Sequence, residues 1–251
     1  MPSITIAQFS DSHLFALPEQ RHYGANVLQN LNHILQHINQ NQQVEHVIFT
    51  GDLSQDHSLE SYQQFNQSIA NFLTKPLAYI AGNHDDLPAL SNELTATTIS
   101  HDAQLALGKW QILLLNSKSN TPAGLVAESE LERIVEGASN SANQLLFMHH
   151  HPRDVGYFID RHGLENKQQF WSAIDQNNRI KLICCGHVHR AEKIAGDNRY
   201  KVDVLTCPAT SIQFDPKVDG VAALPIGPGY RLITLHDDGS YDTETVFLTA
   251  Q

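Results

Sequence analysis

Side chains that bind metal ions recur in five short groups along the chain. Each group comes directly after an apolar stretch, and three of them contain a glycine just before a polar residue. The groups supply carboxylate, amide and imidazole ligands but no thiolate, a mixture that suits first-row transition metals. They are Asp11-Ser12-His13, Gly51-Asp52, Gly82-Asn83-His84-Asp85, His149-His150-His151 and Gly186-His187-Val188-His189.

The number of candidate ligands predicts two metal ions. Two aspartates, four histidines and one asparagine amide are too many for one first-row ion, but they suit two ions that share a carboxylate. Residues two apart point the same way in an extended chain, so Asp11 with His13, and His187 with His189, can each face one cluster. The glycine before Asp52 would let a strand turn sharply there.

The chain has 15 histidines, so most of them must have other roles. Within His149-His150-His151 the residues alone leave the choice of ligand open; if the backbone stays extended, the first and third rings point away from the second. Asp56, Asp85 and Asp86 are predicted to cap helices or support turns. The remaining histidines are predicted to be surface or hydrogen-bonded residues: His22, His33, His37, His46, His57, His101, His162 and His236.

The apolar stretches before these groups are predicted strands, and the amphipathic stretches between them are predicted helices. The first third reads β-α-β-α-β, which is typical of a parallel sheet covered by helices. Ligands of open α/β sheets bind beyond the carboxyl ends of the strands, where the five groups occur. Predicted strands span residues 4–10, 44–50, 77–81, 110–116, 144–149, 180–185 and 202–205, and predicted helices span residues 26–39, 59–73, 128–136 and 166–174.

The C-terminal part has a different pattern. Residues 230–236 and 241–248 flank the turn residues Asp237-Asp238-Gly239 and predict an antiparallel hairpin. No repeat or long linker divides the 251 residues. We therefore predict one domain over residues 1–251, with the hairpin 230–248 as part of it.

Composition limits the partners. A formal net charge of −11 disfavours nucleic acid, which needs a basic surface, whereas bound metals can reverse the local field for a small phosphate. No apolar run reaches the roughly 18–20 residues that cross a membrane, and no signal peptide is recognisable. Cys184, Cys185 and Cys207 are predicted to be buried and unbridged. We expect a cytoplasmic protein without a nucleic-acid or membrane partner; the pattern does not indicate an oligomeric state.

The five groups, in this order, resemble the signature of the calcineurin-like metallophosphoesterases. The surrounding stretches 12–15, 50–56, 110–115, 149–152, 206–214 and 228–231 resemble bacterial class III 3′,5′-cyclic AMP phosphodiesterases, and the resemblance covers nearly the whole chain. It implies an α/β fold in which two mixed β-sheets pack as a sandwich with helices on the outer faces. It also implies hydrolysis of cyclic AMP to 5′-AMP. Activity on another small phosphate ester is the alternative, and a non-catalytic metal-bound scaffold is less favoured.

The resemblance also implies how the metals are held. His150 is the implied histidine because the family pattern places that ligand two residues before a proline, here Pro152. The implied ions are iron or manganese, with zinc as a further candidate. The first ion takes Asp11, His13 and His189, the second takes Asn83, His150 and His187, and both share Asp52.

The implied reaction uses a water whose pKa metal binding lowers from about 15.7 to about 7. The resulting hydroxide attacks phosphorus in line with the ribose 3′-oxygen, and Asp52 helps to position this nucleophile. His84 is expected to contact the phosphate and protonate the leaving oxygen, which suits an imidazole near neutral pH. Asn83 and His13 are further expected substrate contacts. Residues 157–166 and 206–211 are candidate pocket walls, and no adenine-reading motif is visible.

Overall fold

The structure is a computed structural model that describes residues 3–249. Its strands are β1 (Ser3–Phe9), β2 (Arg21–His22), β3 (Ala25–Asn26), β4 (Val44–Phe49), β5 (Leu77–Tyr79), β6 (Ile99–Ser100), β7 (Gln104–Leu107), β8 (Trp110–Leu114), β9 (Asn143–Met148), β10 (Ile180–Cys185), β11 (Lys193–Ile194), β12 (Asp203–Thr206), β13 (Gln213–Phe214), β14 (Ala223–Leu224), β15 (Gly229–His236) and β16 (Tyr241–Phe247). Its helices are α1 (Val27–Gln40), α2 (Leu59–Phe72), α3 (Leu87–Glu93), α4 (Glu128–Glu136) and α5 (Lys167–Asp175), with 3-10 turns at Gly137–Ser139 and Phe158–His162.

Two six-stranded mixed sheets form the body of the fold. The first has the order β16-β15-β1-β4-β5-β6, in which β1, β4, β5 and β6 are parallel and β15 and β16 are antiparallel to their neighbours. The second has the order β11-β12-β10-β9-β8-β7, parallel from β12 to β8 and antiparallel at both edges. The predicted class of two mixed sheets is confirmed.

Three layers of apolar side chains hold the sheets and helices together. Between the sheets, Ile48 and Ile233 of the first pack in one cluster with Phe147 and Leu182 of the second. Helices α1 and α2 cover the outer face of the first sheet, and α4 and α5 cover that of the second. Each helix buries one apolar stripe, as expected for a helix that lies on a sheet. The predicted sandwich with outer helices is therefore present.

The sheets approach each other closely where their parallel strands end. Gly186, just after β10, lies against the segment after β1: an added β-carbon would be 2.2 Å from Ser10 Oγ and 2.9 Å from the Thr50 carbonyl oxygen. The segment after β1 continues to hydrogen-bond to the segment after β4, from Asp11 N to Gly51 O at 2.9 Å. The carboxyl ends of strands from both sheets thus meet at one edge.

Every predicted strand and helix is present, with bounds that shift by at most a few residues. Prediction missed α3 and the short strands β2, β3, β6, β7, β11, β13 and β14. The one-domain assignment for residues 1–251 stays a prediction, and residues 1, 2, 250 and 251 lie outside the described range. All three cysteines are buried and free, as predicted. Between residues 3 and 249, no helix has the length and apolar character needed to cross a membrane.

Candidate metal centre

A first group of side chains meets at the carboxyl end of β1. Asp11, His13 and His189 are buried, and one ligand atom of each lies within 4.8 Å of the others. The Nε2 atoms of His13 and His189 are 3.1 Å apart, and Asp11 Oδ1 is 3.4 Å from His189 Nε2. His189 donates from Nδ1 to the Ile212 carbonyl at 2.8 Å, which leaves Nε2 to face the group. Such a second hydrogen bond commonly orients a metal-binding histidine.

A second group lies at the ends of β9 and β10. Ligand atoms of His149, His150 and His187 all lie within 4.8 Å of one another, and all three rings are buried. His149 Nε2 is also 3.2 Å from Asn83 Oδ1. His187 Nε2 is buried without a hydrogen-bond partner among the described residues. Buried polar atoms are rarely left unpaired, so an unpaired imidazole nitrogen in this setting suits the binding of a metal ion.

Asp52 lies between the two groups. Its Oδ2 is 3.7 Å from His13 Nε2, and its Oδ1 is 3.4 Å from His149 Nε2. Oδ1 also accepts the backbone N–H of His84 at 2.8 Å. Burial alone would raise the pKa of Asp52, but the charge and hydrogen bond of His149 reverse this effect and hold that pKa well below its usual value. An ionised carboxylate in this position is suited to bridge two cations.

The three consecutive histidines do not alternate as predicted. Their rings lie 5.0, 4.8 and 5.7 Å from the His187 ring for His149, His150 and His151, respectively. The expected alternation required an extended backbone, and this condition is not met because β9 ends at Met148 and the backbone bends after it. His151 Nε2 lies 3.1 Å from Asp160 Oδ1, so this ring is held by a carboxylate outside both groups.

Hydrogen bonds distinguish His149 from His150. His149 donates from Nδ1 to the Thr50 carbonyl at 2.6 Å, and its Nε2 is left to face Asp52 and Asn83. The partners of His150, by contrast, are not candidate ligands: Nδ1 is 2.9 Å from Ser117 Oγ, and Nε2 is 3.2 Å from the Pro122 carbonyl. Burial alone would lower the pKa of His149, but the charge and hydrogen bond of Asp52 raise it to about 9. A metal ion bound at Nε2 would displace that proton.

The backbone around the site is left-handed rather than extended. Asp11, His13, Asp52, His187 and His189 have φ values of 56°, 46°, 57°, 66° and 52°. These side chains do come together, but sharp local turns of the backbone place them, not the extended geometry that was predicted. His187 and His189 also separate into the two different groups instead of facing one. Left-handed non-glycine residues are uncommon and cluster at functional sites, where packing holds them.

The His84 ring borders both groups. It lies 5.0 Å from the His13 ring, nearly perpendicular to it, and its Nδ1 is buried without a hydrogen-bond partner among the described residues. Burial lowers the pKa of His84, and the nearby Asp52 carboxylate opposes this effect. Lys118 Nζ donates to the Asn83 carbonyl at 2.9 Å and fixes the turn that carries both residues.

Asp56, Asp85 and Asp86 have the structural roles that were predicted. Asp85 is buried and accepts the backbone N–H groups of Gly82, Asp52 and Leu53 at 2.8–2.9 Å. Asp86 caps α3 by accepting the N–H of Ala89 at 2.9 Å. Asp56 accepts N–H groups of Ala16 and Ser58. Asp85 thereby ties the Asp52 turn to the Asn83 turn.

A cavity of about 270 Å³ opens above the two groups. Residues 157–166 form part of its wall, as predicted, through Phe158, Ile159 and His162. Residues 206–211 do not line the cavity. They contact the segment that carries the ligands instead, since Ser211 Oγ donates to the Asp11 carbonyl. A larger open groove of about 800 Å³ between α4 and α5 holds none of the predicted site residues. The cavity is lined by His13, His22, Tyr23, Asp52, Gln55, Asn83, His84, Pro122, Phe158, Ile159, His162, His187, His189, Phe214 and Val221.

Three of the histidines that were predicted to be surface or hydrogen-bonded residues lie beside the site, although one of them, His57, is exposed. His22 stacks on His13 with ring centroids 5.3 Å apart, and burial lowers the pKa of His22 to about 4. His162 lines the cavity, and the exposed His57 stacks on His84 at 5.9 Å. No motif around these residues predicts this placement. The predicted hydrogen bonds are present at His37, His101 and His236.

Known proteins share the sequence and the fold of this chain. A family model described as calcineurin-like phosphoesterase matches residues 4–191. A probable cyclic nucleotide phosphodiesterase of Colwellia psychrerythraea is 49% identical over 250 residues, which cover 98% of this chain and 95% of that protein. The 3′,5′-cyclic adenosine monophosphate phosphodiesterase CpdA of Escherichia coli K12 is 33% identical over 247 residues, which cover 96% of this chain and 88% of that protein.

A solved structure shares the fold at low sequence identity. The dimetal phosphatase from Danio rerio superposes with a TM-score of 0.68 at 12% identity, and the match covers 99% of both chains. At this identity the likeness concerns the arrangement of the sheets and helices alone. It agrees with the sandwich described above.

Proposed function

The chain belongs to the calcineurin-like phosphoesterase family, and from this membership we propose that it hydrolyses 3′,5′-cyclic AMP to 5′-AMP with two bound metal ions. The observation that carries the proposal is the position of Asp52, an ionised carboxylate between two groups of ligands at the base of a small cavity. The substrate follows from relatives that are named as cyclic nucleotide phosphodiesterases over nearly the full chain.

The proposed ligands divide between the two ions. Asp11, His13 and His189 hold the first ion, and Asn83 and His187 contribute to the second, with Asp52 shared. His150 was expected as the remaining ligand of the second ion, and that assignment stays a prediction. The Nε2 atom of His149, which faces Asp52 and Asn83, supports His149 in its place.

The donor set supports iron or manganese, and zinc is compatible with it as well. Bound ions would lower the pKa of a water and offset charge on the phosphoryl oxygens. The described residues that line the cavity include no lysine or arginine. Attraction of a phosphodiester anion therefore depends on the ions: two divalent cations and two aspartates leave a local charge of about +2.

His84 is the proposed proton donor. Its unpaired Nδ1 and its place between both groups and the cavity support contact with the phosphate. A phosphodiester anion beside the ring would favour the imidazolium, which can give its proton to the departing 3′-oxygen and is then left as the neutral imidazole. Asn83 and His13 also line the cavity and are the other proposed substrate contacts. The backbone N–H of His84, bound to Asp52, ties the proton donor to the shared carboxylate.

We propose a small-molecule substrate and no nucleic-acid partner, in keeping with the formal net charge of −11 and the small cavity. The three free cysteines are compatible with the expected cytoplasmic location, which stays a prediction.

A panel of substrates tests the proposal. Manganese- or iron-loaded protein is assayed with cyclic AMP, cyclic GMP, bis(p-nitrophenyl) phosphate and p-nitrophenyl phosphate. The proposal expects 5′-AMP from cyclic AMP and a higher kcat/KM for cyclic AMP than for the phosphomonoester. Turnover of the aryl diester without turnover of cyclic AMP would retain the metal centre but reject the substrate. Inactivity on all four with both ions bound would favour the non-catalytic scaffold.

A further inference from the structure

A first row of rings leads from the metal centre to the cavity mouth. The His22 ring stacks almost parallel on His13, with centroids 5.3 Å apart and an interplanar angle of 5°. Tyr23 meets His22 edge to face at 4.9 Å. Tyr23 lines the cavity and yet is 58% exposed, so it lies at the opening. The row therefore begins at a proposed ligand of the first ion and ends at solvent.

A second row of rings begins at the neighbouring ligand. Phe214 stacks on His189 with centroids 3.9 Å apart and an interplanar angle of 5°. Phe158, which is half-buried, packs on Phe214 at 5.2 Å. Phe158 and Phe214 both line the same cavity as Tyr23. Two aromatic rows thus border one cavity and start from two histidines whose Nε2 atoms are 3.1 Å apart.

The backbone of Tyr23 is strained. Tyr23 and Gly24 form the two-residue loop between β2 and β3, with φ values of 46° and 88°. Loops with two positive φ values favour Asn-Gly, and a tyrosine in the first position is disfavoured. Arg21 holds the loop closed through a hydrogen bond to the Gly24 carbonyl at 3.0 Å. The loop keeps a large ring in a conformation that a smaller residue would adopt more readily.

The strained residues all lie at or beside this site. In the described part of the chain, seven residues other than glycine have positive φ, and five of them are proposed metal ligands. The sixth, His57, stacks on His84, and the seventh is Tyr23. Strain of this kind persists where function requires it, so Tyr23 is expected to serve the site as well.

We propose that Tyr23 and Phe158 bind the nucleobase of the cyclic nucleotide, an inference that rests on the proposed function. A phosphodiester held at the ions leaves its neutral, planar base to extend toward the aromatic end of the cavity. About 270 Å³ is slightly below the usual range for small-molecule sites, so the cavity suits one mononucleotide. Stacking on aromatic rings tolerates any base and contributes a factor of about 5 to 150 in affinity per base.

Kinetics with two kinds of phosphodiester test the inference. Tyr23→Ala and Phe158→Ala are expected to raise KM for cyclic AMP about tenfold, while kcat changes little. Their kinetics with the 3′,5′-cyclic phosphate of 1-deoxyribose, which has the same phosphodiester but no aromatic ring, should stay near those of the parent. Tyr23→Phe should restore the KM for cyclic AMP because it keeps the ring. Phe247→Ala removes an exposed ring on β16, outside the cavity, and should leave both substrates unaffected.

Equal losses on both substrates would make Tyr23 and Phe158 structural residues, and unchanged KM values would remove them from the site; either result overturns the inference.

Binding provides an independent readout. Calorimetry on the metal-loaded protein should show tighter binding of 5′-AMP than of ribose 5-phosphate, with the difference reduced in Tyr23→Ala. If the parent does not hydrolyse cyclic AMP, the proposed function fails, but this affinity ratio still decides whether a base is bound. Equal affinities would reject the nucleobase site.

Discussion

Hydrogen bonds on the imidazole nitrogens decide which histidines of the centre can bind an ion. A ring nitrogen that carries a proton has no lone pair for a metal. His149 and His189 each give their Nδ1 proton to a backbone carbonyl, so Nε2 is the nitrogen available to the centre. His150 instead bonds through Nε2 to the Pro122 carbonyl and through Nδ1 to Ser117. These contacts lead to different expectations for the two neighbours.

Alanine variants of the two neighbours should differ in metal content. Loss of His149 should lower the bound metal from about two ions toward one per chain, because a ligand of the second ion is removed. His150→Ala should keep both ions. Elemental analysis of protein dialysed at limiting free metal provides the measurement. Full metal content in His149→Ala, together with loss in His150→Ala, would restore the assignment made from the sequence pattern.

His84 should matter for turnover rather than for metal binding. His84→Ala is expected to reduce kcat for cyclic AMP by about 10²-fold or more, because the proton donor for the leaving oxygen is lost. Metal content should match that of the parent. His101→Ala, a change at an exposed histidine that bonds Tyr79, is the matched control and should retain full activity. A His84→Ala protein with parental kcat would exclude the assigned role.

Two glycines allow the strand ends to meet closely. Gly51 has φ of 94°, and a β-carbon there would lie 2.4 Å from the backbone nitrogen of Gly82. A β-carbon on Gly82 would lie 2.2 Å from Asp52 Oδ1 and 2.7 Å from a carbon of the His149 ring. The turns after β4 and β5 can therefore bring Asp52 and Asn83 together only if both positions lack side chains.

Gly51→Ala and Gly156→Ala separate the effect of packing from the effect of backbone conformation. Gly156 has a similar φ of 90° but nothing within 4 Å of an added β-carbon. Its substitution should cost about 1–2 kcal/mol for the left-handed conformation alone. Gly51→Ala should cost about 1–3 kcal/mol more because of overpacking. Urea unfolding of the metal-free proteins gives both free energies, and equal values would show that the close contact is easily relieved.

Element patterns explain which parts of the fold were predictable. Helix α1 carries an apolar stripe over four turns, and β4 ends in the apolar run Val47-Ile48-Phe49 shortly before Gly51, so both were visible in the sequence. The two-residue strands β2 and β3 are too short to show a period. The candidate ligands were recognisable in the sequence because each group of them directly follows an apolar strand. The choice within His149-His150-His151 was not, because it depends on the bend after Met148 and on carbonyl partners far away in sequence.

At the scale of the whole molecule, the centre lies across the edge of the sandwich. Asp11, His13, Asp52 and Asn83 follow strands of the first sheet, whereas His149, His187 and His189 follow strands of the second. Neither sheet alone supplies a complete set of ligands for two ions. The apolar layer between the sheets therefore sets the distance between the two halves of the centre.

Metal-dependent hydrolysis of cyclic AMP tests the central claim most directly. Chelator-stripped protein and its Asp52→Asn variant are assayed for 5′-AMP before and after addition of manganese or iron. We predict that the stripped protein forms no 5′-AMP and that added metal restores this activity. The Asp52→Asn variant should not recover, because the shared carboxylate is lost. Turnover that survives complete metal removal, or that persists undiminished in Asp52→Asn, would contradict a two-metal mechanism centred on Asp52.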